Sequence, residues 1–213
     1  MAKLYFRYGA VSSAKTMNLL AVAHNYRKQN KQVLLVKPAL DDRFGRENIT
    51  SRAGLSNVAD MVVEDDTVFE LAAMSAYHCV LVDEAQFLPP KVIDQFRQIA
   101  TAVDVPVICY GLRVDFRTEL FPGSKRLMEL ADAIEEVKTT CHFCTRKAVF
   151  NLKLLDNKPT LAGPKVQMGA EETYLPACAI CYQRKLANTQ RHPATRGAPT
   201  LTEDEANVGK DTL

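Results

Sequence analysis

The chain has 213 residues, 47% of them hydrophobic and 24% charged, a globular composition that excludes wholesale disorder, collagen and coiled coil. Its 27 Lys and Arg against 25 Asp and Glu leave a net charge of +2, which argues against a general binder of nucleic acid or of membrane surfaces. No apolar run approaches the roughly 18 residues of a membrane span. The start, Met-Ala-Lys-Leu-Tyr-Phe-Arg-Tyr, lacks the marks of a signal peptide, so a cytoplasmic location is expected. In that compartment the six cysteines do not read as a disulfide framework.

Residues 3–8 alternate and are rich in aromatics, which predicts a short strand. A turn of small residues, 9–14, leads into Lys15 and a segment where Leu19, Leu20, Ala23 and Tyr26 fall at helical spacing. Residues 32–36 are a continuous apolar run, as expected of a strand buried on both faces and ended by Pro38. The polar, turn-rich stretch 38–57 reads as a long loop. Residues 59–63 read as a strand and 67–76 as a helix, with Thr67 as N-cap and Glu70 three residues on.

A second buried strand, 79–82, runs into Asp83-Glu84. Pro89-Pro90 opens a helix that Val92, Phe96, Ile99 and Val103 continue. A buried strand at 105–110, a helix at 124–131 and a strand at 133–138 follow. Strands alternating with helices predict an α/β fold, a parallel sheet flanked by helices. After Thr140 two Cys-x-x-Cys pairs bracket a strand-like segment, 148–155, and a Gly/Pro/polar stretch.

Gly9, Ala10, Val11, Ser12, Ser13, Ala14, Lys15 and Thr16 fit the Walker A spacing, with Ala14 where glycine is usual. Small residues let successive N–H groups wrap a phosphate at a helix N-terminus, where Lys15 neutralises charge and the Thr16 hydroxyl ligates Mg²⁺. Alanine is tolerated at position 14 if the backbone there is right-handed helical. Asp83, at the end of a buried strand, fits Walker B and would hold Mg²⁺ beside Thr16. The acidic element Asp83, Glu84, Ala85, Gln86 is grouped with Arg43 at the phosphate-binding end. Strand alternation sends the Glu84 carboxylate elsewhere than Asp83, free to accept a proton from an acceptor hydroxyl. Cys141, Cys144, Cys178 and Cys181, with 33 residues between the pairs, predict one closed tetrahedral Zn²⁺ site of structural character. A redox role for either pair is the rival reading.

Asp83-Glu84-Ala85-Gln86-Phe87, Gly111-Leu112-Arg113-x-Asp115-Phe116-Arg117 and the two cysteine pairs around a lasso-like segment ending at Tyr174 resemble the type II thymidine kinase family, cellular and bacterial, over residues 3–182. The resemblance implies a RecA-like P-loop sheet at 1–139 and a small zinc-ribbon domain carrying a lasso loop at 140–187. A tail at 188–213 is expected to be disordered. It also implies transfer of the γ-phosphoryl group of ATP to the 5′-hydroxyl of thymidine, with Glu84 as catalytic base. Asp41 and Arg43 match the family's Asp-x-Arg element, Asp41 toward substrate or metal and Arg43 toward phosphates. A solvated charged face is the competing reading of both.

Phe87, Leu112, Phe116 and Phe121 are implied at the acceptor site, with an ordinary core role competing for Phe121. Gln167, Gly169 and Tyr174 of the lasso are implied at the thymine base. Relatives imply a homotetramer inhibited by dTTP. Two other readings stay open. One is a P-loop ATPase or regulatory module whose ribbon, with Arg146, Lys147, Arg184 and Lys185, binds a partner or nucleic acid. The other is a fold that binds nucleotide without turnover, motivated by Ala14.

Overall fold

The computed structural model describes residues 1–163 and 174–191. Six strands build the main sheet: β1 (Leu4–Tyr8), β2 (Val33–Pro38), β5 (Met61–Val63), β6 (Cys79–Val82), β7 (Val107–Gly111) and β8 (Ala133–Glu136). Their order is β5-β2-β6-β7-β1-β8 and every pairing is parallel. One strand, β7, thus separates β1, which feeds the phosphate turn, from β6, which delivers the acidic pair. That is the RecA-like arrangement.

The period-2 pleat divides each strand between two cores. Leu34, Val36, Val80, Val82, Val107 and Cys109 face α3 (Pro90–Gln98) and α4 (Pro122–Leu130), meeting Val92, Phe96 and Leu127. Leu35, Leu81, Ile108 and Tyr110 face the other way, onto Leu19, Leu20 and Ala23 of α1 (Lys15–Lys28). Because both faces are covered, these strands read as unbroken apolar runs. Cys79 and Cys109 lie inside this packing, and burial pushes the Cys79 thiol up to about 12, as expected of inert core residues.

Two segments before the acidic pair differ from the sequence expectation. Residues 38–57 are not all loop: β3 (Asn48–Thr50) and β4 (Ser56–Val58) pair as a hairpin. Three residues per strand are too few for alternation to register, and one side chain, Ile49, anchors the hairpin in the core of α1. Residues 67–76 form a helix only at α2 (Leu71–Met74). Gln95 of α3 takes the Phe69 N–H at 2.7 Å and donates to the Thr67 carbonyl at 3.0 Å, which holds the chain extended. The Thr67 hydroxyl accepts from Glu64 N–H instead of capping a helix. Tertiary bonds and the burial of Phe69 against Phe96 override the local capping pattern.

A second, antiparallel sheet of order β10-β9-β11 comprises β9 (Phe150–Leu155), β10 (Lys158–Pro159) and β11 (Tyr174–Ala177). Leu152, Ala177 and Tyr182 pack there with the four paired cysteines, Cys144 only partly buried. Helix α5 (Ala179–Arg191) runs past Asn188, where the sequence places the start of an aperiodic tail. Among the described residues, no helix is long and apolar enough to cross a membrane.

Candidate active site

The chain leaves β1 and turns through residues 9–14 before α1 begins. Gly9 is required there, since a Cβ would lie 2.4 Å from both the Val137 carbonyl oxygen and the Ser13 hydroxyl oxygen. Its N–H donates to Gly111 O at 3.2 Å, which ties the turn to the end of β7. Ser12 and Ala14 have φ of 59° and 63°. Ala14 is therefore left-handed, not right-handed as its tolerance of a methyl group requires. Alternating handedness is what aims successive N–H groups at one point, so the turn imposes it whatever residue is there.

Lys15 folds over this turn and donates to Ala10 O at 2.8 Å, Gly9 O at 3.2 Å and Ser13 Oγ at 3.3 Å. Burial lowers its pKa to about 8, against the pull of Glu84 and Asp83. Its bonded partners are neutral, so a phosphate in the turn would bring the counter-charge it lacks. The Thr16 hydroxyl donates to Asp83 Oδ2 at 3.0 Å. A hydroxyl and a carboxylate side by side next to the turn are the hard oxygen donors that suit Mg²⁺.

Glu84 follows Asp83 at φ 47° and ψ 38°, a strained conformation for a side-chain-bearing residue. The kink turns its carboxylate away from Asp83. Arg43 Nη2 donates to Oε1 and Gln86 Nε2 to Oε2, each at 2.5 Å. Burial pushes Asp83 up to about 7, with the neighbouring Glu84 adding to it. Burial would raise Glu84 too, but Arg43 and Lys15 outweigh it and hold the carboxyl down at about 2. Two adjacent acids are thus driven apart, and Glu84 is the one kept ionised.

The Arg43 Nε donates to Asp41 Oδ1 at 2.7 Å, and Asp41 Oδ2 lies 3.6 Å from the ammonium of buried Lys37. Both Asp41 oxygens are committed to these cations. Asp41 thus aims Arg43 from one side while Glu84 holds it from the other. Ala85 lies wholly in the core, and Gln86 is a buried brace whose Oε1 accepts from Leu112 N–H at 2.9 Å.

A cavity of about 370 Å³ opens over the turn, walled by Lys15, Thr16, Arg43, Glu84, Leu112 and Arg52. Beside Leu112 the loop at 112–121, expected to border the acceptor and called the acceptor loop below, carries Phe116, buried, with its ring centroid 6.3 Å from that of Tyr174. The Lys153 ammonium and Arg117 guanidinium stand 4.7 and 5.0 Å from the Phe116 ring. Phe87 and Phe121 meet edge to face at 5.8 Å, and neither lines the phosphate cavity. Phe87 instead borders a separate cavity of about 520 Å³ with Pro38, Val63 and Leu88. Gln167 and Gly169 lie outside the described residues.

Three contributors escape sequence reading. Asn151 of β9 accepts from Val11 N–H at 2.9 Å and donates to Val114 O at 3.3 Å, joining the phosphate turn to the acceptor loop. Tyr182 donates its hydroxyl to Phe116 O, and Arg52 reaches the turn from the hairpin. Each comes from a distant part of the chain, and none has a local motif.

The Sγ atoms of Cys141, Cys144, Cys178 and Cys181 all lie within 4.8 Å of one another. Cys144 Sγ is 3.7 Å from those of Cys178 and Cys181. Four thiolates around a tetrahedral zinc at about 2.3 Å would sit about 3.8 Å apart, whereas a disulfide needs about 2.0 Å. The donor set fits a closed zinc site and does not form a redox disulfide in this geometry.

The small-residue turn, Lys15, Thr16 and the acid Glu84 meet at one cavity beside the end of a parallel strand, which defines a P-loop nucleotide-binding protein. Residues 2–182 match the family model described as thymidine kinase. The chain is 46% identical to the thymidine kinase of Enterococcus faecalis, over 85% of this chain and 95% of that one. It is 44% identical to that of Lactococcus lactis, over 85% and 97%. The chain therefore belongs to the thymidine kinase family, and it is a deoxynucleoside kinase. A solved Pif1 helicase from Candida albicans overlays 64% of this chain and 36% of its own at a TM-score of 0.36 and 9% identity, too slight a likeness to bear on function.

Proposed function

We propose that the chain transfers the γ-phosphoryl group of ATP to the 5′-hydroxyl of thymidine, giving ADP and dTMP. The observation that supports this most is the meeting of the Lys15 turn and ionised Glu84 around one cavity. The triphosphate lies in the turn with its β and γ oxygens on Lys15. Thr16 and Asp83 would hold Mg²⁺, which when bound neutralises charge on those oxygens. Glu84 orients the 5′-hydroxyl and takes its proton. The hydroxyl oxygen bonds to the γ-phosphorus as the bond from that phosphorus to ADP breaks. Arg43, drawn from Glu84 toward the phosphates, stabilises charge on the transferred group and leaves Glu84 a better base.

Leu112, Phe116 and Tyr174 border the pyrimidine. The four cysteines hold a structural zinc that pins both ends of the lasso. Family membership supports assembly as a homotetramer, inhibition by dTTP and a cytoplasmic place in nucleoside salvage. Two of the ribbon's basic residues are already engaged: Lys147 pairs with Glu136, and Lys185 lies over the Phe143 ring. That favours the kinase over a nucleic-acid reading.

The test is ADP release with ATP, Mg²⁺ and a panel of nucleosides. Release that depends on thymidine is expected, and ATP loss without any acceptor would return the ATPase reading. Glu84→Gln should lower kcat by about 100-fold or more while leaving KM for ATP nearly unchanged.

A further inference from the structure

The β3–β4 hairpin holds its tip over the phosphate turn. Ser51 N–H donates to Leu55 O at 2.8 Å, Gly54 N–H to Ser51 O at 3.0 Å, and Leu55 N–H to Ser51 Oγ at 3.1 Å. Gly54, at φ 85°, lets the tip close. At its root Ile49 is buried against Leu19 and Leu20, and Lys37 donates to Asn48 O at 2.8 Å. The tip is therefore a built element on a fixed base.

Arg52, on this tip, extends Nη1 to within 2.5 Å of the Ser12 hydroxyl. Ser12 is part of the phosphate turn. Arg52 lines the same cavity as Lys15, Arg43 and Glu84. Arg43 already has two carboxylates. Lys15 and Arg52 have neutral bonded partners. Like charges gathered about one small cavity repel unless a polyanion enters.

We propose that Arg52 is a ligand of the donor triphosphate: its guanidinium exchanges the Ser12 hydroxyl for non-bridging phosphate oxygens. A planar fork suits two such oxygens at once, which an ammonium does not. The hairpin thereby becomes the roof of the donor site. The inference rests on the kinase reading for the identity of the donor, not for the existence of the anion site.

The experiment is calorimetric titration of the full chain with ATP and with inorganic tripolyphosphate, in wild type, Arg52→Gln and Arg52→Lys, without nucleoside. Arg52→Gln should weaken both ligands by about tenfold or more, and Arg52→Lys should recover part of the loss. In turnover KM for ATP should rise while KM for thymidine stays. Affinities within twofold of wild type would overturn the proposal. So would a matched rise of both KM values with a lowered Tm, the mark of a strut between hairpin and turn. The titration is read whether or not thymidine is phosphorylated, so a failure of the kinase reading would leave the Arg52 result standing.

Discussion

Ala14 carries a methyl group where the phosphate turn forces φ to 63° and ψ to 23°. A β-carbon in that region costs roughly 1–2 kcal/mol, part of which alanine regains by restricting the unfolded chain. Glycine also serves better than alanine as an N-cap, the place Ala14 holds at the head of α1. Ala14→Gly should therefore stabilise the fold by roughly 0.5–1 kcal/mol and raise Tm by about 2–3 °C in a thermal melt. A melt unchanged or lower would mean that the backbone at this position is not strained. Lys15, Thr16, Asp83 and Glu84 were legible because each stands at a fixed offset on one local element. The handedness of position 14 was not, since it depends on how the whole turn closes. Arg43 was legible by resemblance, but its clamp on Glu84 needs two elements to meet in space.

At the scale of elements, the buried strands and the long helices follow from apolar runs and helical spacing. What local pattern missed is short or held from outside. The hairpin has three residues a strand, and the extended run before α2 is held by Gln95 from α3. β9 is the instructive case, because its strand character was plain while the use of its polar residue was not. Asn151 is 4% exposed and spends both ends of its amide on the backbone of two separate loops. Asn151→Ala would leave Val11 N–H and Val114 C=O without their amide partner. The loss should be about 2–4 kcal/mol in urea unfolding, with KM rising for both substrates because both loops are released. A loss below about 0.5 kcal/mol would show that water or a shifted backbone replaces the amide.

The molecule joins a rigid parallel sheet to a small module whose own core is too slight to stand alone. The module's core is Leu152, Ala177 and Tyr182 around the cysteine cluster, so the metal that these sulfurs would bind substitutes for missing apolar burial. From that core three contacts reach the acceptor loop: Asn151 to Val114 O, Tyr182 to Phe116 O, and the Phe116–Tyr174 ring contact. Arg117 answers from the loop side, donating to Gly163 O at 2.7 Å and Leu161 O at 3.1 Å. Lys15, Thr16, Asp83 and the sheet that carries them have cores of their own. Asn151 also holds Val11 N–H of the phosphate turn, so removing zinc with a strong chelator should weaken ATP binding a little and the acceptor half of the reaction far more. Thymidine phosphorylation should fall by about 100-fold or more as the acceptor loop loses its backing, whereas ATP affinity should change by less than about tenfold. Far-ultraviolet circular dichroism should keep most of its helical signal, and hydrogen exchange should rise first in residues 141–155 and 174–182. Equal loss of ATP binding and of thymidine turnover, with the whole chain unfolding at once, would show that the sheet leans on the metal module as much as the acceptor loop does.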